Sequence, residues 1–287
     1  MKSRLLILGS RGFIGSWLAR ELAGEFTLCD DSGVDVASAA SVGNCFKRNA
    51  PEMVVLAAAI ADIDRCQREP ALAEAVNATG AGHVARECAA AGSRLMFLST
   101  GAVFDGTRSG YAEDDPVSPL SVYGRTKARA ESIVESQAPD AVILRLALVL
   151  GRGPRAGTNS LVDRMQASFS KGEAVSVPAD EIRNPIDAGS LCRFARELLV
   201  RREATGTFHV GSRDAVSRYE LAREIAAQMG FSPELVRPQN GPAGGRAPRG
   251  RDQFLIPARL EGLCRIAAPG WREAAERCVH ATAESAA

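Results

Sequence analysis

A tyrosine and a lysine stand four residues apart in Tyr123-Gly124-Arg125-Thr126-Lys127, at the head of a segment with apolar residues at helical spacing. Residues i and i+4 share one helix face, so the two side chains project together. A free phenol, with a pKa near ~10, is a poor proton donor at neutral pH. A neighbouring ammonium favours the phenolate and draws that pKa toward the working range, the requirement for general acid–base chemistry on an oxygen. The spacing alone arises by chance in many helices. Context is supplied by Phe97-Leu98-Ser99-Thr100, an apolar run ending in hydroxyls. Thr100 at such an end can hydrogen-bond a carbonyl or developing alkoxide beside the phenol.

The second chemistry-bearing run is Gly9-Ser10-Arg11-Gly12-Phe13-Ile14-Gly15. It follows an apolar run and opens a helical pattern, one residue wider at the first gap than the G-x-G-x-x-G dinucleotide fingerprint. Gly9 permits a tight turn, Gly12 lets a pyrophosphate approach the backbone, and Gly15 lets the helix pack on the strand. The helix start at Phe13 and Ile14 offers N–H groups to phosphate. Fifteen residues on, the run Cys29-Asp30-Asp31 places an acid where ribose hydroxyls can bond to it. Asp30 in that role favours NAD, whereas Arg11 can pair with a 2′-phosphate and favours NADP. The two signals conflict, and the cofactor expected is NADP or NAD.

These groups need a scaffold that gathers them. Short apolar runs at 5–8, 26–29, 53–57, 95–98 and 142–146 alternate with helical stretches at 13–22, 71–90 and 123–136. Such alternation predicts an α/β fold with a doubly wound parallel Rossmann sheet, whose ligands bind at the carboxyl ends of the strands. After residue 151 glycine, proline and arginine become frequent, with loops expected at 151–157 and 240–245 and helices at 190–200 and 219–229. The expected division is a cofactor-binding domain over 1–155. A smaller, discontinuous region over 156–287 would mainly bind substrate and partly share the sheet.

Composition narrows the class. The 287 residues are 46% hydrophobic and 24% charged with a net charge of +1, which advertises neither nucleic acid nor an anionic membrane. Seven scattered cysteines with no C-x-x-C pair argue for a reducing compartment, and three dispersed histidines suggest no metal site. No apolar run approaches the ~20 residues of a membrane span, and the N-terminus lacks a signal-peptide pattern. A cytoplasmic, soluble protein is expected.

With these residues in place the chain resembles the extended short-chain dehydrogenase/reductases, most closely the dTDP-4-dehydrorhamnose reductase branch. The matching stretches are residues 56–59, 64–70 (Asp64-Arg65-Cys66-Gln67-Arg68-Glu69-Pro70), 76–79, 98–100, 103–106 and 119–127, in order and at the family spacing. The resemblance implies that Tyr123 donates the proton, that Lys127 modulates it and holds the nicotinamide ribose, and that Thr100 is the third catalytic group. It implies that Asp35 and Val36 meet the adenine, that Ala57, Ala58, Ala59 and Ser99 line the cofactor, and that Leu146 and Leu148 lie near the nicotinamide. Val103, Arg183 and Arg249 would contact substrate, with Arg246 and Arg251 as further candidates for gripping a diphosphate.

The family reduces a ketone of a nucleotide-linked sugar, so a nucleotide-sugar substrate is implied, and homodimers are common in it. Two departures stand out. Thr100-Gly101-Ala102-Val103-Phe104 lacks the family's Asp-Tyr after the threonine, and Leu146-Ala147-Leu148 lacks its tryptophan. The missing carboxylate argues against a dehydratase, and both changes smooth the expected pocket. Two other roles fit the same residues. One is a non-catalytic, cofactor-binding regulatory subunit, like the beta subunit of methionine adenosyltransferase in this branch. The other is an NDP-sugar epimerase.

Overall fold

The computed structural model describes residues 2–154, 158–239 and 245–280; of the loops expected at 151–157 and 240–245, residues 155–157 and 240–244 lie outside them. Six parallel strands form the central sheet: β1 (Arg4–Leu8), β2 (Thr27–Leu28), β3 (Met53–Leu56), β4 (Arg94–Thr100), β5 (Val142–Leu146) and β6 (Gly206–Val210). Their order across the sheet is β6-β5-β4-β3-β1-β2. The chain winds one way from β1 to β2 and the other way from β3 onward. The gap between β1 and β3 is therefore the topological switch point, where open α/β sheets bind ligands.

The strands read as continuous apolar runs because both faces of the sheet are covered. Their side chains still alternate. Leu5, Ile7, Val55, Met96, Leu98 and Leu144 pack on one face with Trp17, Leu18, Leu191 and Phe194. Leu6, Leu8, Val54, Leu95, Phe97 and Ile143 pack on the other with Val42, Phe46, Val84 and Val134. Helices Phe13–Leu22 and Ala188–Val200 cover the first face. Helices Ala39–Asn49, Gly80–Ala91 and Val122–Gln137 cover the second. A separate apolar cluster joins helices Leu161–Phe169, Arg218–Gln228 and Trp271–His280.

Two elements of the fold depart from the sequence reading. The single helix expected over 71–90 is broken into Pro70–Ala73, a π-helical turn Glu74–Thr79 and Gly80–Ala91. The turn sets Asn77 inward, where its amide binds Ile60 on both sides and reaches Thr126 Oγ1 at 3.2 Å. The second strand is only two residues long because β2 is an exposed edge strand. Among the described residues no helix is long and apolar enough to cross a membrane.

Candidate active site

Because the sheet is parallel, every strand delivers its C-terminal residue to one edge. Gly9 turns there with φ +90°, and a Cβ on it would lie 2.6 Å from the Ala58 nitrogen. Backbones of the β1 and β3 turns thus touch across the switch point, which only glycine permits. A Cβ on Gly15 would lie 2.1 Å from the Gly9 carbonyl oxygen, so the helix start packs directly on the turn. Gly12 caps helix Phe13–Leu22 with no side-chain bond and no acid in the first turn. The N–H groups at this helix start are not covered by a side chain and suit an anion. These features fit a dinucleotide pyrophosphate. Gly15→Ala is expected to cost about 1–3 kcal/mol through overpacking and to weaken dinucleotide binding, read by urea midpoint and by titration.

The acid that holds this loop is Asp31. Its carboxylate accepts from Gly9 N at 3.1 Å, Ser10 N at 3.0 Å and Ser10 Oγ at 2.6 Å. Asp30 instead bonds the Ser32 backbone and hydroxyl, each at 2.8 Å, and these bonds hold its pKa down, with Arg48 and Arg11 adding to the effect. Asp30 and Arg11, the two opposed cofactor signals, are therefore electrostatic neighbours. Asp35 is exposed and accepts from Ala37 N. Val36 is buried in the core, with its carbonyl against His83, so its side chain is not presented to a ligand.

Tyr123 and Lys127 sit in the first turns of helix Val122–Gln137, capped by Ser121 Oγ accepting from Gly124 N at 3.1 Å. Gly124 has no Cβ because one would fall 2.3 Å from the Ala102 carbonyl oxygen; the helix head rests on the turn that follows Thr100. The Thr100 hydroxyl hydrogen-bonds the Tyr123 phenol and favours its ionised form, but burial outweighs it and raises the phenol to about 12. Lys127 is 2% exposed; its Nζ donates to the Leu98 carbonyl at 2.6 Å and lies 3.9 Å from the Phe97 ring centroid. Burial pushes its ammonium down to about 7, against a pull upward from Glu131.

The expected drop in the tyrosine's pKa beside an ammonium is therefore not what this geometry gives. Burial dominates both groups, and the lysine turns to a carbonyl. The sign for stability follows from the lysine. Between about pH 7 and its ordinary 10.5 the unfolded chain holds the extra proton, so stability rises with pH. Relative to Lys127→Met, the wild type is expected to gain up to about 1.4 kcal/mol per pH unit across that window. Thermal midpoints at stepped pH read this directly, and a flat difference contradicts it.

Tyr123 and Thr100 face a cavity of about 300 Å³ that also touches Phe13, Ile14, Leu146 and Leu148. Its far wall is ionic. Glu181 accepts from Arg183 at 3.4 Å, Arg218 at 3.2 Å and Arg246 at 3.4 Å. Arg183 and Arg218 line the cavity with Glu181, while Arg246 reaches the same carboxylate without forming part of the cavity wall, so the cluster is net positive. Burial lowers Arg183 to about 10, which leaves it cationic at neutral pH. Arg249 also lines the cavity and pairs with Asp64 at 2.9 Å, joining the C-terminal segment to helix Ile63–Arg68. Val103 corrects an expectation: it is wholly buried with Phe104, Tyr111 and Leu255 and does not line the cavity. A strand end turning into a 3-10 turn reverses the facing of successive residues, so Gly101 and Ala102 reach the cavity instead. Arg251 is exposed and pairs with Asp180 outside it.

The profile of the RmlD substrate binding domain family matches residues 3–284. The chain belongs to this family. It is 31% identical to the dTDP-4-dehydrorhamnose reductase of Mycolicibacterium smegmatis over 98% of this chain and 86% of that protein. It is 32% identical to a probable dTDP-4,6-dihydroxy-2-methyloxan-3-one 4-ketoreductase of Streptomyces antibioticus over 94% and 92%. The crystal structure of the Bacillus anthracis dTDP-4-dehydrorhamnose reductase with NADP superposes with a TM-score of 0.87 at 28% identity, covering 97% of this chain and 99% of that one.

On this RmlD-family framework, the residues that sequence reasoning missed are Asp31, Glu181 and Arg218. Asp31 adjoins Asp30, and only the direction of the turn after β2 separates them. Glu181 and Arg218 lie in stretches with no motif, and only their convergence on one cavity marks them.

Proposed function

We propose that this protein is an NAD(P)H-dependent reductase of a nucleotide-linked 4-keto sugar. One observation carries the reading: a single cavity is lined by the half-buried Tyr123 phenol and Thr100 hydroxyl and by the guanidiniums of Arg183, Arg218 and Arg249, and it opens beside the glycine cradle. The cations suit a diphosphate, which guanidiniums bind in bidentate fashion. The hydroxyl pair suits a carbonyl oxygen.

When bound, NAD(P)H supplies a hydride to the carbonyl carbon. Tyr123 then gives its proton to the carbonyl oxygen, and burial keeps the phenol protonated through the neutral range until it is needed. Thr100 donates a hydrogen bond toward the phenol's oxygen and helps carry the charge that develops there. Lys127 would hold the nicotinamide ribose by exchanging its Leu98 carbonyl partner for the ribose hydroxyls. Asp31 keeps the glycine loop in the conformation that receives the pyrophosphate.

The glycines, Thr100, Tyr123 and Lys127 come from residues 1–155. The arginines of the far wall come from 156–287, which supports a division into cofactor-binding and substrate-binding parts. Cysteines that are free, six of the seven buried, suit the reducing cytoplasm. The test is steady-state oxidation of NADPH and of NADH with dTDP-4-dehydrorhamnose. Many turnovers per enzyme support the reading. Cofactor binding without turnover favours the regulatory role, and tightly retained NAD favours the epimerase.

A further inference from the structure

We infer that the sugar reduced here is poor in ring hydroxyls, a nucleotide-linked keto sugar with a deoxygenated ring carbon near the reacting carbonyl. The inference rests on the reductase reading above and concerns the wall of the cavity that Tyr123, Thr100 and the arginines also line. Ile63, Ala102, Leu120, Ala147, Leu148 and Val149 make up much of that wall, and none carries a side-chain hydrogen-bonding group.

The polar side chains that line the cavity outside its ionic end each hold one partner within the protein. Ser99 donates to Glu131, Ser121 accepts from Gly124 N, and Gln253 Nε2 donates to the Phe104 carbonyl. These three are 4%, 3% and 8% exposed, so little of each faces the space a sugar would fill. The Gly250 carbonyl is taken by Arg183 at 3.0 Å. Thr100 and Tyr123 are reserved for the reacting carbonyl, and the guanidiniums for the diphosphate.

A sugar hydroxyl entering this space leaves water and finds an aliphatic surface, so it loses hydrogen bonds without replacement. A methyl or methylene group in its place gains by burial. An apolar wall discriminates against an added hydroxyl by roughly ten- to hundredfold, far less than a hydrogen-bonding site discriminates against a missing one. The preference expected is therefore real but moderate.

The experiment compares kcat/KM for dTDP-4-dehydrorhamnose and for its 2-deoxy counterpart with the wild-type protein. A roughly ten- to hundredfold advantage for the 2-deoxy sugar supports the inference. Equal rates, or preference for the hydroxylated sugar, overturn it and leave the reductase reading standing. Turnover of neither overturns that reading and the inference with it. Ala102→Ser adds a hydroxyl to the wall and is expected to narrow the ratio; a ratio it does not move overturns the role assigned to the wall.

Discussion

Tyr123→Phe lowers kcat for ketone reduction by about 10²- to 10⁴-fold, the range that a positioned general acid contributes, and leaves dinucleotide affinity largely intact. On the proposed mechanism the phenol delivers the proton to the carbonyl oxygen. Its neighbour Thr100 is a hydrogen-bonding hydroxyl, and Lys127 points to the Leu98 carbonyl. Burial holds the phenol near 12, so the proton is present at every neutral pH. Phenylalanine keeps the ring's packing and removes only the hydroxyl, which separates chemistry from folding. Steady-state kinetics and a cofactor titration on the same preparation make the check. Turnover equal to wild type would show that the proton comes from elsewhere.

The second large effect lies behind the site. Arg145 on β5 reaches Glu131 with Nε at 3.1 Å and Nη2 at 2.8 Å, and donates from Nη1 to the Glu113 carbonyl at 3.0 Å. Their side chains are 7% and 5% exposed. Arg145→Met leaves the Glu131 carboxylate buried with only Ser99 donating to it, and is expected to cost about 3–5 kcal/mol. Glu131→Gln placed on top of Arg145→Met removes the stranded charge and is expected to recover part of that loss. Denaturant midpoints of the two single variants and the double variant read the coupling. Strict additivity would mean that the pair does not act as a unit. The same pair fixes β5 to helix Val122–Gln137 one turn beyond Lys127, so its loss is also expected to blunt catalysis.

Much of the scaffold was legible from local pattern. β5 and helix Phe13–Leu22 coincide with the runs read from the sequence, because a strand buried on both faces must be apolar throughout and a helix must repeat its apolar residues every three or four. The shared face of Tyr123 and Lys127 follows from helical geometry alone. The break at Glu74–Thr79 was not legible. It answers to contacts of Asn77 with Ile60 and Thr126, residues 17 and 49 positions away.

The chain alone therefore determined the α/β sheet, the glycine turn at its switch point and the pairing of a phenol with an amine, since each depends on neighbours a few residues apart. Tertiary structure decided which acid holds the loop, that Val103 faces inward, that Glu181 gathers three arginines, and which way burial moves the phenol and the amine. These outcomes depend on solvent access and on partners distant in sequence. Spacing along a chain does not encode either one.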